Sequence, residues 1–140
     1  MGYFSQNRHK FYLKCHTIFV CKYRKQLINE NVRVFILSTF KQIEEKSDFE
    51  IEIMETDKDH IHLLINYPPT VSVSSIARRL KQISTIELWK QFPNILSKQF
   101  WKKHTFWSDG YFVCSIGEAN PDTIRKYKLK IKVRAIHPTH

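Results

Sequence analysis

Two short segments joined by a tight turn, over residues 49–67, constrain the fold of this chain more than any other part of it. In the first segment apolar and acidic residues alternate (Phe49, Glu50, Ile51, Glu52, Ile53), as in a strand with one buried face. Residues 57–59 form a turn into a second, apolar segment, which ends at Pro68 because proline cannot donate to a strand ladder. Strands joined by so short a turn pair antiparallel, so the chain contains an antiparallel sheet.

The second segment carries two histidines, His60 and His62. On a strand, residues two apart share a face, so the two imidazoles stand side by side while Ile61, Leu63 and Ile65 point the other way. Neutral histidine is the commonest protein ligand of divalent metal ions, but two histidines fill only part of a coordination sphere. The pattern therefore indicates half of a metal site, or else a half-exposed strand that carries two histidines by chance.

The remaining segments continue an alternation of strands and helices. Residues 11–21 are rich in aromatic and β-branched residues and predict the first strand. The further predicted elements are a helix capped by Asn29 or Asn31 and ending near residue 46, a helix capped by Ser72 with a break at Ser84-Thr85, another helix ending near Pro93, a strand over 111–116 and a last helix from Asn120-Pro121. This order predicts an α+β fold, ferredoxin-like or RRM-like, with helices on one face of an antiparallel sheet. We expect a single domain over residues 1–140.

The formal net charge of +10 is unevenly distributed. Residues 27–59 hold nine of the 13 acids but four of the 23 bases, so the rest of the chain carries 19 bases and four acids. The most prominent bases are Lys22 and Arg24 after the first strand, Arg78, Arg79 and Lys81 in a predicted helix, and Lys102 and Lys103 among aromatic residues. Cations neutralise phosphates and aromatic rings stack on unpaired bases, which favours nucleic-acid binding over a merely solvated basic surface.

The cysteines and the hydropathy of the chain indicate the cellular compartment in which the protein is expected. Cys15, Cys21 and Cys114 are odd in number and lack a C-x-x-C spacing, so we expect buried, reduced packing residues of an intracellular protein. No apolar run approaches the ~20 residues that a membrane span needs, and the first residues show no signal-peptide pattern. A cytoplasmic protein without a membrane partner is expected.

A tyrosine near the start of the predicted last helix has two interpretations. Ile124, Tyr127 and Ile131 lie on one side of a helix, which is typical of packing residues. Tyr127 also follows Arg125 and Lys126, and a phenol near cations can attack phosphorus when a metal polarises the phosphate. Taken alone, the pattern favours packing.

Taken together, the motifs resemble those of the single-tyrosine HUH transposases of small insertion sequences, which move as single-stranded DNA. The matching segments occur in order between residues 10 and 127: Cys21-Lys22-Tyr23-Arg24, Asp57-Lys58-Asp59-His60-Ile61-His62-Leu63-Leu64, Leu80-Lys81, Trp107-Ser108-Asp109-Gly110-Tyr111-Phe112 with Ser115-Ile116-Gly117, and Ile124-Arg125-Lys126-Tyr127. A histidine pair alone is weak evidence, whereas this ordered set is specific.

The resemblance implies a ferredoxin-like or RRM-like fold with a tyrosine-bearing C-terminal helix, and a homodimer in which that helix of one subunit can complete the other's histidine pair. It implies that His60 and His62 bind Mg²⁺ or Mn²⁺ and that Tyr127 is the nucleophile. Attack on the scissile phosphate would give a 5′-phosphotyrosine and a free 3′-hydroxyl, which permits strand transfer without a nucleotide cofactor. The implied partner is single-stranded DNA with hairpins, and we expect contacts from Arg78, Arg79, Lys81, Lys102 and Lys103.

One position departs from the family pattern. A polar residue, commonly glutamine, follows the tyrosine by four positions in the family and supplies the third metal ligand, but this chain has Ile131, which cannot coordinate a metal. Residues 128–140 alternate apolar and basic residues at first and form a divergent tail that fits a strand or a solvated segment. The other candidate ligands are Asp59, His104, His137 and His140, and their spacing favours none of them.

Two other functions fit parts of the pattern. A catalytically impaired or domesticated relative that binds DNA hairpins without cutting them would explain the charge, the aromatic residues and the missing ligand together. A phosphoesterase with paired His-x-Thr or His-x-Ser motifs would use His137-Pro138-Thr139, but His60-Ile61-His62 lacks the hydroxyl that the second motif needs.

Overall fold

Residues 13–116 are described by the computed structural model, and they form a four-stranded sheet with three α-helices. The elements in chain order are β1 (Leu13–Val20), a 3-10 turn (Lys22–Arg24), α1 (Glu30–Glu45), β2 (Glu50–Thr56), β3 (His60–Tyr67), α2 (Val73–Gln91), α3 (Pro93–Gln99) and β4 (Phe112–Ile116). The strand order is β2-β3-β1-β4 and every pair is antiparallel, which confirms the predicted ferredoxin-like α+β fold. The helix predicted from Asn120 lies outside the described residues.

The two faces of the sheet have different partners. Ile61, Leu63 and Ile65 of β3 belong to the main hydrophobic core, together with buried residues of the helices. The histidines lie on the opposite face, because Ile18 of β1 pairs with His62 and directly opposed residues share a face. This separation leaves the histidine face clear of the packing between sheet and helices.

Helix α1 follows its sequence pattern closely. Asn29 is the cap, and its side-chain oxygen accepts a hydrogen bond of 2.9 Å from the backbone N–H of Val32. A stripe of apolar residues at helical spacing is buried (Val32, Ile36, Phe40 and Ile43). The stripe packs α1 onto the sheet because residues three or four apart face the same way.

Helix α2 corrects one prediction. The break expected at Ser84-Thr85 is absent, and the helix runs from Val73 to Gln91 with Ser72 as its cap. Both hydroxyls donate to the carbonyl oxygen of Lys81, at 3.2 and 2.7 Å, so these side chains bond within the helix and need no loop. The prediction that a helix ends near Pro93 is confirmed, because α2 ends at Gln91, and Pro93 is then the first residue of a further helix, α3.

A bulge in β2 changes the faces of that strand. The pairing with β3 shifts between Ile51 and Ile53, so that Glu52 is an extra residue in the ladder. Before the bulge Ile51 packs in the core, and after it Met54 faces the core while Ile53 is exposed. The regular alternation read from the sequence therefore holds for only half of the strand.

The cysteines fit the expected packing role in part. Cys15 and Cys21 are buried free thiols, and burial raises the pKa of both. Cys114 on the edge strand β4 is only half-buried, which differs from the prediction. Within residues 13–116, no helix is long and apolar enough to cross a bilayer.

Candidate functional site

His60, at the start of β3, is held by two side chains in sequence, Asp59 and then Arg24. Its Nδ1 lies 2.9 Å from Asp59 Oδ1, and the other carboxylate oxygen of Asp59 accepts hydrogen bonds from Arg24 Nη2 at 2.7 Å and Nε at 3.1 Å. A histidine whose Nδ1 donates to a carboxylate presents the lone pair of Nε2, the atom that binds metals in such arrangements. Arg24 and Asp59 thus fix the tautomer and the direction of the His60 ring.

Asp59 is ionised in this arrangement. Burial would raise its pKa, but the His60 hydrogen bond and the charge and hydrogen bond of Arg24 outweigh burial and lower the pKa. The backbone holds Asp59 in place too, because its carbonyl oxygen accepts from the N–H of Cys21 at 2.8 Å. The turn after β1 is therefore joined to the histidine pair through both backbone and side chain.

His62 has partners at both ring nitrogens. Its Nδ1 lies 3.3 Å from Glu55 Oε1, and its Nε2 contacts Nδ1 of His16 on β1. The His16 and His62 rings are parallel within 2°, with centroids 4.5 Å apart, and both are buried. The bulge in β2 matters here, because it brings Glu55 into register with His62 on the histidine face.

The donor atoms fit a divalent ion in part. His60 and His62 are adjacent on one face with carboxylates at Nδ1, the pattern that supports metal-bound histidine. Over residues 13–116, however, no group of three or more His, Cys, Asp or Glu side chains is arranged to hold a metal. The pair can thus supply two ligands, and binding through His62 Nε2 requires the His16 contact to open.

Two of the alternative metal ligands, Asp59 and His104, lie among the described residues, and neither is available to complete the histidine pair. The carboxylate of Asp59 is engaged by His60 and Arg24, and the ring of His104 stacks on Trp89 at 3.9 Å, on the side of the sheet that carries the helices. Tyr127, Ile131 and the remaining candidate ligands, His137 and His140, lie outside the described residues. The third ligand and the nucleophile therefore stay sequence-based predictions.

Several predicted DNA-binding residues meet in a groove beside α2, here called the α2 groove. It has a volume of about 690 Å³, and its cationic lining residues are Arg78, Lys81 and Lys103. Arg78 and Lys103 are exposed. Arg79, also exposed, lines a neighbouring groove of about 410 Å³ between α2 and the end of α1. The structure thus groups these cations on the helix side, and their role in DNA binding stays a prediction.

Lys81 also has a structural role at the edge of the α2 groove. Its Nζ donates to the carbonyl oxygens of Asp109 and Gly110, both at 2.9 Å, and lies about 6 Å from the rings of Phe19 and Tyr111. Burial lowers the pKa of Lys81, with Asp109 opposing that effect. Lys81 therefore shapes the turn at the groove edge as well as adding charge to it.

The other predicted contact residues lie elsewhere. Lys102 is exposed beside Trp101, Lys22 forms an ion pair of 3.3 Å with Asp109, and Arg24 binds Asp59. Arg24 is thus next to the histidine pair and not in the α2 groove.

Sequence reasoning missed two residues of the histidine face, His16 and Glu55. His16 lies on β1, the strand beside β3. Its spacing of two residues from Ile18, on one face of that strand, was the available signal that it shares a face with the histidine pair. Glu55 could not be found, because it reaches His62 only through the bulge.

Comparisons with known proteins agree with this geometry. The family described as IS200-like transposases matches residues 9–128. The transposase for insertion sequence element IS200 of Salmonella typhimurium is 34% identical over 114 residues, which are 81% of this chain and 73% of that protein. The ISDra2 transposase TnpA of Deinococcus radiodurans is 26% identical over 117 residues, which are 84% of this chain and 82% of that protein.

Solved structures share the fold. A candidate transposase from Deinococcus radiodurans R1 matches with a TM-score of 0.70 at 24% identity, over 84% of this chain and 89% of that one. A REP-associated tyrosine transposase bound to a REP hairpin matches with a TM-score of 0.57 at 16% identity, over 84% of this chain and 62% of that one. The ordered motifs, the sheet topology and the match over residues 9–128 lead to one conclusion: the chain belongs to the family of IS200-like transposases.

Proposed function

We propose that this protein recognises hairpins in single-stranded DNA and cleaves and rejoins strands through Tyr127, with Mg²⁺ or Mn²⁺ held by His60 and His62. The observation that carries the proposal is the chain from Arg24 through Asp59 to His60, which directs a histidine Nε2 outward next to His62. Metal-binding histidines almost always donate their other ring N–H to a carboxylate, a carbonyl or water, and a charge-paired carboxylate at Nδ1 of His60 fits that arrangement.

The proposed chemistry is a transesterification. A divalent ion bound by the pair would withdraw charge from the scissile phosphate. The oxygen of Tyr127 attacks phosphorus, the bond from phosphorus to the 3′-oxygen breaks, and the phenolic proton is lost as the 3′-oxygen gains one. The products are a 5′-phosphotyrosine and a free 3′-hydroxyl, and attack by another 3′-hydroxyl reverses the step and joins strands.

Recognition would use the helix side of the molecule. Arg78, Lys81 and Lys103 line the α2 groove, and exposed Arg79 lies nearby. Cations in such a groove neutralise backbone phosphates and thereby position a duplex stem. One solved relative, the REP-associated tyrosine transposase, is bound to a REP hairpin, which supports DNA of this shape as the partner. We extend the proposal to a homodimer, in which Tyr127 of one subunit can serve the histidine pair of the other.

A second candidate is a hairpin-binding module that does not cut. One observation favours it: Ile131 stands where the family commonly has a metal ligand, and isoleucine cannot coordinate a metal. The fold and the basic grooves serve this function equally well.

A covalent-adduct assay separates the two. Hairpins with single-stranded flanks, taken from the DNA beside the gene and labelled at the 3′ end, are incubated with the protein and Mn²⁺ or Mg²⁺. We expect a denaturation-resistant labelled adduct, which is absent with EDTA, with Tyr127→Phe and with the His60→Ala, His62→Ala double variant. The matched control Tyr67→Phe should form it normally.

The outcomes are distinct. Hairpin binding with no adduct under either metal would favour the binding module. Equal and weak binding of hairpins and random duplexes would contradict both candidates, because neither then explains the basic grooves.

A further inference from the structure

A second groove lies beside the α2 groove and contains the most exposed aromatic residues of residues 13–116. It has a volume of about 460 Å³, and the lining residues that matter here are Lys22, Tyr23, Phe100, Trp101, Lys102 and Lys103. We call it the aromatic groove. Lys103 lines this groove and the α2 groove alike, so the two are continuous at that residue.

The exposure of its aromatic rings is unusual for this protein. Trp101 is 81% exposed and Tyr23 is 72% exposed, whereas Trp89 and Trp107, the two other tryptophans of the chain, are buried. Large aromatic side chains gain more from burial than most residues, so a mostly exposed tryptophan in a basic groove indicates a binding surface. Phe100 is buried, and its ring centroid lies 6.5 Å from that of Tyr23.

The backbone at Tyr23, whose ring is exposed, is strained. Tyr23 and Arg24 have φ angles of 59° and 54°, in the left-handed region that non-glycine residues rarely adopt. Hydrogen bonds hold this turn at both ends, from Lys22 N to the Phe106 carbonyl and from Arg24 N to the Cys21 carbonyl, both at 2.8 Å. Strain of this kind is kept where the conformation has a use.

The charge of the groove is of one sign. Its charged lining residues are three lysines, Lys22, Lys102 and Lys103, and among the described residues no acid lines it. Lys102 Nζ lies 5.2 Å from the ring centroid of Trp101, and Lys22 Nζ lies 5.6 Å from that of Tyr23. Flat rings with cations beside them complement a nucleotide, whose base can stack and whose phosphate is anionic.

We propose that the aromatic groove binds an unpaired nucleotide of single-stranded DNA next to the hairpin, with its base against Trp101 and Tyr23 and its phosphates near Lys102 and Lys103. This inference rests on the proposed function. The position supports it, because Tyr23 immediately precedes Arg24, which binds Asp59 beside His60. A strand that leaves the hairpin at Lys103 and passes Tyr23 approaches the histidine pair.

The test uses the full chain and two DNA probes, a blunt hairpin and the same hairpin with a short unpaired flank on either side. Wild type should bind the flanked probe more tightly. Trp101→Ala should weaken that binding roughly 5- to 100-fold, the usual range for one stacked base, and leave the blunt hairpin within about twofold. Trp101→Phe should restore most of the affinity because it keeps a ring. Ile95→Ala is the matched control, since Ile95 is an exposed apolar residue of α3 that lines neither groove.

A second readout locates the contact. Trp101 is the accessible tryptophan, so the flanked probe should protect it from acrylamide quenching, and an abasic nucleotide at the bound position should remove the protection. Unchanged flanked-probe affinity in Trp101→Ala, with hairpin binding intact, would overturn this inference alone. Loss of self-association in Trp101→Ala without any effect on DNA would overturn it in favour of a second copy as the occupant. No hairpin binding by wild type would overturn the proposed function with it.

Discussion

The two histidines have the same kind of partner at Nδ1, but the two partners differ in exposure and pairing. Each has a carboxylate at Nδ1, Asp59 for His60 and Glu55 for His62. The Asp59 side chain is 15% exposed and clamped by Arg24, whereas the Glu55 side chain is 54% exposed. Charge-paired groups with little exposure lose less freedom when a ligand binds, so Asp59 orients His60 more firmly than Glu55 orients His62.

Asp59→Asn tests the orienting role directly. An asparagine keeps the shape but weakens the hydrogen bond to His60 and the pairing with Arg24, so we expect Mn²⁺ affinity to fall roughly 10- to 100-fold. Calorimetry or electron paramagnetic resonance on the DNA-free protein measures this without any activity assay. Asp57→Asn is the control, because Asp57 is exposed in the same turn and its side chain bonds only the adjacent Lys58 N–H among the described residues. Equal affinities in the two variants would contradict the assignment.

At the scale of the elements, the bulge in β2 is the feature with the largest effect on the site. It places Glu52 out of the regular ladder, where its carboxylate accepts from Lys14 of β1 and Asn66 of β3, both at 2.9 Å. Glu55 then falls opposite His62. A regular strand would put residues 52 and 55 on opposite faces, so the bulge brings both acids to the histidine side.

The Glu52 contacts predict a pH dependence of stability. The hydrogen bonds from Lys14 and then Asn66 lower the pKa of Glu52 below its ordinary value. Stabilisation is therefore complete above the ordinary pKa and disappears as pH falls through the lowered one. Glu52→Gln should lower the free energy of unfolding at pH 7 by about 1 kcal/mol or less, because the pair is partly exposed, and the difference should disappear once the pH falls below the lowered pKa.

Urea unfolding of wild type and Glu52→Gln across that range measures the effect. Glu50→Gln is the control, because Glu50 lies in the same strand and forms no ion pair among the described residues. A Glu52→Gln difference that persists at low pH would show that the residue acts through packing and not through its charge.

The elements themselves follow from local patterns. The α1 stripe and the caps Asn29 and Ser72 fix two helices, and the short turn at 57–59 fixes a hairpin, because these signals depend on neighbours in sequence. The helix break predicted at Ser84 was wrong because serine also favours loops. In the folded chain its hydroxyl donates to the carbonyl oxygen of Lys81 and accepts from Trp107 Nε1 at 2.9 Å. That second contact joins residues 23 positions apart, which no local pattern reports.

At the scale of the whole molecule, the sheet separates two kinds of candidate site. The helix side carries the basic grooves, and the opposite side carries the histidines, with the strained turn at Tyr23 and Arg24 next to both. The histidine pair could be predicted from its spacing alone. Its partners Arg24, Asp59 and His16 could not be assigned to it, because those contacts depend on the folded sheet. Arg24 and Asp59 are 35 residues apart in sequence, and His16 and His62 are 46 residues apart.

The proposed function depends above all on the attachment of DNA to Tyr127, and the most direct measurement is where on the protein that attachment forms. The covalent adduct made with a flanked hairpin and Mn²⁺ is digested with nuclease and protease, and the modified peptide is identified by mass spectrometry. We expect a nucleotide phosphate on Tyr127 and none on the other tyrosines. Attachment at a different residue, or hairpin binding with no modified peptide at any metal concentration, would contradict the proposed function.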